Sequence, residues 1–154
     1  MRLYNQLRFT LIAGLIFTNP AQADYADGAR AYDGGDYATA FTEWHRLAKE
    51  GDPAAQVSIA SLYRGGIGRR VDLVQAAYWY SRAAEQGDAV AQMNLGEMYQ
   101  HGWGVKRDNI EAFVWYDRAA RRGKDWAAGQ RDRLAKMMTG TALAAARKRL
   151  RKNP

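Results

Sequence analysis

The stretch that decides the fold is residues 91–123, AQMNLGEMYQHGWGVKRDNIEAFVWYDRAARRG. It contains two helix-length segments on either side of the turn HGWG, residues 101–104. Residues 55–87, located 36 positions upstream, repeat this layout, with GGIG in the turn. Segments 37–72 and 73–108 are identical at 11 of 36 positions, and a third copy starts at Asn109. A fixed period of this length is typical of a solenoid built from stacked helical units.

Recurring breakers predict where the helices begin and end. An aspartate at the start of a helix accepts hydrogen bonds from the first free backbone N–H groups. The aspartates at such positions are Asp36, Asp52, Asp72, Asp88 and Asp108. A glycine after a helix tolerates the left-handed cap conformation. Glycines follow the second helix of each unit at Gly51, Gly87 and Gly123. Each unit should therefore be a helical hairpin.

The glycine-rich turn YRGGIGRRVD, residues 63–72, has two interpretations. Glycines and arginines together can cradle a phosphate. However, no strand precedes the turn, no Gly-Lys-Ser/Thr follows it, and the motif recurs one repeat later. The recurrence favours a structural turn, in which Gly68 and Gly104 adopt a positive φ.

These motifs resemble the SEL-one-like repeat, a relative of the tetratricopeptide repeat. Residues 91–123 match it almost completely, and residues 55–87 match with two departures, Ala60 and Arg69. The resemblance implies an all-α, right-handed superhelical solenoid of about four helical hairpins, or about eight helices, with a C-terminal capping helix. Such repeats commonly scaffold protein complexes, and exported members modulate envelope signalling or polysaccharide secretion.

The chain divides into three predicted parts: a signal peptide at 1–23, a repeat array at 24–138, and a basic capping helix with its tail at 139–154. The predicted units of the array lie near 25–51, 52–87, 88–123 and 124–138. In the capping helix, Thr139 is the expected N-cap. Leu143, Ala146 and Leu150 form the stripe that would cover the last unit.

The first residues have the layout of a secretory signal peptide. Arg2 and Arg8 flank the start, an apolar run occupies 9–17, and Ala21-Gln22-Ala23 precedes the expected cleavage site. The alternative is an uncleaved anchor, but the run is well short of the ~18–20 apolar residues that cross a bilayer. We therefore expect a periplasmic or secreted protein that starts at Asp24 and has no transmembrane segment after cleavage. The chain contains no cysteine, so packing alone must hold it together.

The sequence offers little catalytic chemistry. Its two histidines, His45 and His101, lack the spacing of a zinc site, and we interpret them as a packed and a loop residue. None of the serines in the predicted helices sits in a G-x-S-x-G motif. We therefore predict a non-enzymatic protein with no catalytic residue, cofactor or metal site. An enzyme acting on cell-wall material is the third and weakest hypothesis.

A solenoid of hairpins offers an extended concave face for a partner. Variable residues at equivalent positions of the first helices are the candidates to line it. The candidate protein-binding residues are Ser58, Ser61, Arg64, Asn94, Glu97, Gln130, Arg133 and Trp103. At a turn tip, Trp103 is either an exposed anchor or a residue packed over a helix end. The leading hypothesis is an adaptor that binds a protein or peptide.

The charge is distributed unevenly along the chain. Residues 24–117 hold 14 acidic and 9 basic side chains, whereas residues 118–154 hold 2 acidic and 12 basic ones. The candidate anion-contacting residues are Arg147, Lys148, Arg149, Arg151 and Lys152. The alternative function is therefore envelope association, in which the basic end binds an anionic membrane surface or polymer. These charges could instead have no binding role and only keep a capping helix soluble. Nucleic acid would suit the charge but not the expected compartment, so we predict no nucleic-acid partner.

Overall fold

The computed structural model describes residues 20–152, with side chains from residue 24 onwards. Within that range the chain is all-helical, with no strand. The eight helices are α1 (Pro20–Asp33), α2 (Tyr37–Glu50), α3 (Pro53–Gly65), α4 (Leu73–Glu85), α5 (Ala89–His101), α6 (Asn109–Arg121), α7 (Asp125–Met137) and α8 (Gly140–Lys152). Residues 1–19, most of the predicted signal peptide, lie outside the described residues, so cleavage stays a prediction. None of the described helices is long and apolar enough to cross a membrane.

The predicted caps are confirmed. The carboxylate of each of the five aspartates accepts a hydrogen bond from a backbone N–H in the first turn of the helix that follows. Two of these bonds are equivalent by the repeat, since Asp52 caps Ala55 and Asp88 caps Ala91, both at 2.7 Å. A cap of this kind contributes about 1 kcal/mol to stability. The same local hydrogen bonds therefore mark the helix starts in successive repeats.

The glycine-rich turns pack against the preceding unit. Gly68 and Gly104 have φ values of 67° and 68°, as predicted. A Cβ on Gly68 would lie 2.4 Å from the Cβ of Tyr37, the first residue of α2. A Cβ on Gly104 would lie 1.9 Å from the carbonyl oxygen of Leu73, the first residue of α4. Each turn tip is thus seated on the start of the second helix of the unit before, which supports the structural interpretation of these glycines.

The core consists of two clusters that follow one another along the solenoid. Small residues at equivalent positions of the first helices let helix axes approach closely, and Ala55, Ala91 and Ala127 are fully buried. Tyr80 and Tyr116, on the second helices, are buried between the layers. The first cluster spans α1 to α5 with Trp115 of α6, and the second joins α6, α7 and α8.

The last helix closes the array. Thr139 accepts a hydrogen bond from the backbone N–H of Ala142 at 3.2 Å, as expected of an N-cap. Ala146 is fully buried, and Leu143 and Leu150 pack against the second cluster. α8 lies mainly against α6 rather than α7, because the short link at 138–139 directs it back across that helix. The predicted capping helix is therefore present.

Candidate protein-binding site

Polar side chains lie along the first helices of the two central units, and Arg64 joins the two helices. We call this set of side chains the α3–α5 polar row; it consists of Ser61, Arg64, Asn94, Glu97 and Gln100. The first four were predicted as binding residues. Gln100 belongs to the same set of repeat-equivalent positions, one turn after Glu97 on α5. The structure thus places four of the eight predicted protein-binding residues in one row.

Arg64 is the centre of the row. Its guanidinium donates one hydrogen bond to the side-chain oxygen of Asn94 and forms an ion pair with Glu97 at 2.9 Å. The same group lies 5.7 Å from the centre of the Trp103 ring. The three partners belong to the next repeat, so Arg64 links two units through its side chain. About a third of the Arg64 side chain is exposed, which leaves guanidinium N–H groups for a ligand.

Two buried tyrosines support the row from beneath. The hydroxyl of Tyr80 lies 3.0 Å from the Ser61 hydroxyl, and the Tyr116 hydroxyl donates to Gln100 at 2.7 Å. Burial raises the pKa of both phenols, so both stay protonated and hold their partners in place. From the sequence, neither tyrosine was expected to contribute to the binding site. The available signal was that tyrosine, rather than phenylalanine, occupies equivalent positions in the two units.

A cavity and an exposed ring adjoin the row. The cavity measures about 340 Å³ and is lined by Ser61, Arg64, Gly65, Tyr80 and Asn94. Trp103 is 36% exposed and stacks on His101, with ring centres 4.7 Å apart. At the turn tip, one part of the Trp103 side chain therefore packs against the protein and the other part is accessible to solvent. The arrangement offers hydrogen-bond donors, acceptors and an aromatic face, the groups that bind a polypeptide main chain and an apolar side chain.

The other predicted protein-binding residues lie apart from the row. The Ser58 hydroxyl lies 2.9 Å from that of Tyr25, which ties α3 to α1. Gln130 and Arg133 lie on α7, where they make no hydrogen bond or ion pair to the row in the described part of the chain. The hydrogen-bonded surface therefore covers two repeats.

The five cations of the basic end are all exposed on α8. Arg149 differs from the other four because it forms an ion pair with Glu111 of α6. Arg147 borders a cavity of about 350 Å³ between α6, α7 and α8, whose lining includes Asp117 and Arg131. Arg149 thus takes part in holding α8 on α6, whereas the others remain available to solvent.

Asp117 is a buried carboxylate that the sequence analysis did not single out. It forms ion pairs with Arg121 at 2.6 Å and with Arg131 of α7 at 3.2 Å. Its burial is compensated by these two cations, as burial of a charge requires. Asp117 therefore ties α7 to α6 and has a structural role.

His45 occupies the packed environment expected of it, whereas His101, which was expected in a loop, is the last residue of α5. His45 packs edge-on against Phe41 and Trp79, with ring centres 5.0 and 5.6 Å away. Burial, with smaller effects from Lys49 and Arg69, lowers the pKa of His45. Within residues 20–152 there is no group of three or more His, Asp or Glu side chains placed to hold a metal ion.

Comparisons with known proteins agree with the repeat geometry. The Sel1 repeat family matches twice, at residues 53–88 and 89–124. A search of curated proteins found no significant match.

Two solved structures are similar to most of the chain. One is a protective antigen present in uropathogenic Escherichia coli strains that displays an SLR fold, with 32% identity over 82% of this chain and a TM-score of 0.77. The other is a Sel1 repeat protein from Oxalobacter formigenes, with 36% identity over 74% of this chain and a TM-score of 0.70. The chain spans 28% and 34% of the lengths of these two proteins.

Proteins with such repeats are generally protein-interaction scaffolds, typically without catalytic activity. Two tandem family matches, an all-helical hairpin architecture and the similar solved structures lead to one assignment. The chain contains two Sel1 repeats, at residues 53–124, and has the SLR fold.

Proposed function

We propose that this protein is an exported, non-catalytic adaptor that binds a protein or peptide across the α3–α5 polar row. The observation that carries the proposal is the ion-paired and hydrogen-bonded link from Arg64 to Asn94 and Glu97. This link fixes polar groups of two repeats in one geometry while leaving them partly exposed. A preorganised surface binds with a smaller loss of conformational entropy than a flexible one.

The chemistry of the row favours a polypeptide over a charged polymer. Arg64 and Glu97 neutralise one another, so the row has no net charge. Hydroxyl and amide groups suit the N–H and C=O groups of an extended main chain. The half-exposed Trp103 adds an aromatic anchor, a residue type enriched among the residues that dominate binding energy.

The signal-peptide pattern of residues 1–23 supports placing this adaptor in the periplasm or outside the cell. A partner would then be an envelope protein. Modulation of envelope signalling or of polysaccharide secretion is the role that fits such a location.

Photocrosslinking in intact cells tests the proposal. The photoreactive residue replaces Ser61, which borders the cavity beside the row. The matched control replaces Arg133, the exposed repeat equivalent of Ser61 on α7. We expect a discrete adduct with one protein from position 61 and none from position 133. The adduct should disappear when Arg64 and Asn94 are both changed to alanine; its persistence, or equal adducts from both positions, would contradict the proposal.

A second candidate function is attachment to an anionic envelope surface through α8. In the described chain, Arg147, Lys148, Arg151 and Lys152 are exposed and make no ion pair, which favours an external anion. Lys148→Glu with Arg151→Glu should weaken sedimentation with anionic vesicles, most visibly at low salt, where the screening length is longest. Unchanged sedimentation across a salt series would remove this candidate.

A further inference from the structure

The cavity beside the polar row is formed by residues of three helices. Ser61, Arg64 and Gly65 belong to α3, Tyr80 to α4 and Asn94 to α5, and the volume is about 340 Å³. We call it the Tyr80 cavity. Ligand pockets measure roughly 300–1,000 Å³, so this one lies at the small end of the range. Its size suits one side chain of a partner rather than a large ligand.

The side chains that line the Tyr80 cavity offer more hydrogen-bond donors than acceptors. The hydroxyls of Ser61 and Tyr80 lie 3.0 Å apart, and because only one hydrogen lies between them, the other stays available. The Asn94 amide donates one N–H to a backbone carbonyl of its own helix and accepts from Arg64 with its oxygen, which leaves its second N–H. Arg64 carries five N–H groups, and Asn94 and Glu97 together engage two of them. A group that enters the cavity must therefore bring a hydrogen-bond acceptor.

The charge of the Tyr80 cavity is already balanced. Arg64 is the one charged residue among its described lining residues, and Glu97 of the next repeat pairs with it at 2.9 Å. A carboxylate from a partner would add a second negative charge beside the same guanidinium, with no cation of its own. A lysine or arginine side chain would be repelled by Arg64 and would offer no acceptor. The entering group should therefore be neutral.

An apolar side chain does not suit the cavity either. It would displace water from Arg64, Ser61 and Tyr80 without replacing the hydrogen bonds, and a buried donor without a partner is unfavourable. A carboxamide meets every requirement. Its oxygen accepts from the N–H groups of Arg64 and Asn94, while its NH₂ group donates to the lone pairs of the two hydroxyls.

We propose that the Tyr80 cavity is the specificity pocket of the polar row and takes a glutamine or asparagine side chain of the partner polypeptide. The inference rests on the proposed function and names the side chain by which the partner is selected. The rest of the row then holds the main chain on either side of that residue.

An NMR titration of the mature chain with four capped amino acids tests this inference. The probes are the N-acetyl, N-methylamide derivatives of glutamine, glutamate, leucine and lysine, which share one main chain, so differences among them report the side chain alone. We expect the glutamine derivative to shift the side-chain amide signal of Asn94 and the backbone signal of Gly65. It should bind at least about fivefold more tightly than each of the other three, because those leave donors unpaired or add a charge.

Two variants remove single hydroxyls from the Tyr80 cavity. Tyr80→Phe keeps the buried ring, and Ser61→Ala changes only the rim, so the second variant tests the pocket without altering the core. Each should weaken binding of the glutamine derivative at least about threefold. Tyr116→Phe is the matched control, because the hydroxyl of this equivalent tyrosine donates to Gln100 and does not line the cavity. It should leave the affinity unchanged.

Four results would overturn the inference: no shift with any probe, equal binding of the four probes, tighter binding of the glutamate derivative, or an affinity that neither hydroxyl variant changes. The photocrosslinking experiment fails or succeeds independently of this one. A discrete adduct from position 61 together with any of these four results would keep the adaptor and remove the carboxamide pocket.

Discussion

Gly104→Ala should destabilise the contact between neighbouring repeats. The new Cβ would lie 1.9 Å from the carbonyl oxygen of Leu73, 2.3 Å from its carbonyl carbon and 2.8 Å from the backbone nitrogen of Val74. These are backbone atoms at the start of a helix, so they cannot rotate away as a side chain would. Alanine at positive φ costs about 1 kcal/mol, and relieving such a clash costs about 1–3 kcal/mol more. The expected loss is therefore about 2–4 kcal/mol.

Thermal unfolding followed by circular dichroism measures the effect. At about 4 °C per kcal/mol for a chain of this size, the Tm should fall by about 8–16 °C. Gly123→Ala is the matched control, since Gly123 has a φ of 83° but open space where its Cβ would lie. The free energy of unfolding of Gly123→Ala should fall only by the cost of an alanine at positive φ, about 1 kcal/mol. If the two variants melt at the same temperature, the turn tip does not depend on close contact with α4, and the reasoning is refuted.

Three further predictions concern processing, pH and the C-terminal helix. The mature protein should begin at Asp24 by N-terminal sequencing of periplasmic material; an intact Met1 in cytoplasmic protein would contradict export. Burial lowers the folded-state pKa of His45, so the unfolded state binds the proton first as pH falls below about 6.5. The parent should therefore lose more Tm than His45→Gln between pH 7.5 and 5.5, and equal losses would count against this packing. Arg149→Glu should lower the free energy of unfolding by about 0.5–1 kcal/mol more than Lys148→Glu, because it removes the partner of Glu111. The Tm should then fall by about 2–4 °C more; identical melting would show that this ion pair does not hold α8.

The features that could be predicted from the sequence are mostly local. An aspartate cap joins residues three positions apart, as Asp72 does with the N–H of Gln75, so residue type and spacing specify it. The positive φ of Gly68 and Gly104 follows from the recurrence of a turn motif in the same way. The closing helix could be located as well, because Thr139 and the stripe that ends at Leu150 lie within one segment.

The features that the sequence did not reveal join residues far apart in the chain. The seat of Gly104 on Leu73 depends on the distance between two units, which no local pattern encodes. The packing of α8 on α6, with the Arg149–Glu111 pair, depends on the direction of the link at 138–139. The sequence identified candidate positions of the binding surface by repeat equivalence, but it could not show that Arg64 would join Asn94 while Arg133 would lie apart.

Isothermal titration calorimetry tests the central claim, that the α3–α5 polar row binds a polypeptide partner. The titration uses the mature chain and the protein captured by crosslinking from position 61. Changing both Arg64 and Asn94 to alanine removes the link between the two repeats, and it should weaken binding at least about tenfold, since central polar anchors dominate such interfaces. Arg133→Ala should leave the affinity as it is. Equal affinities for the parent and the double variant would contradict the account.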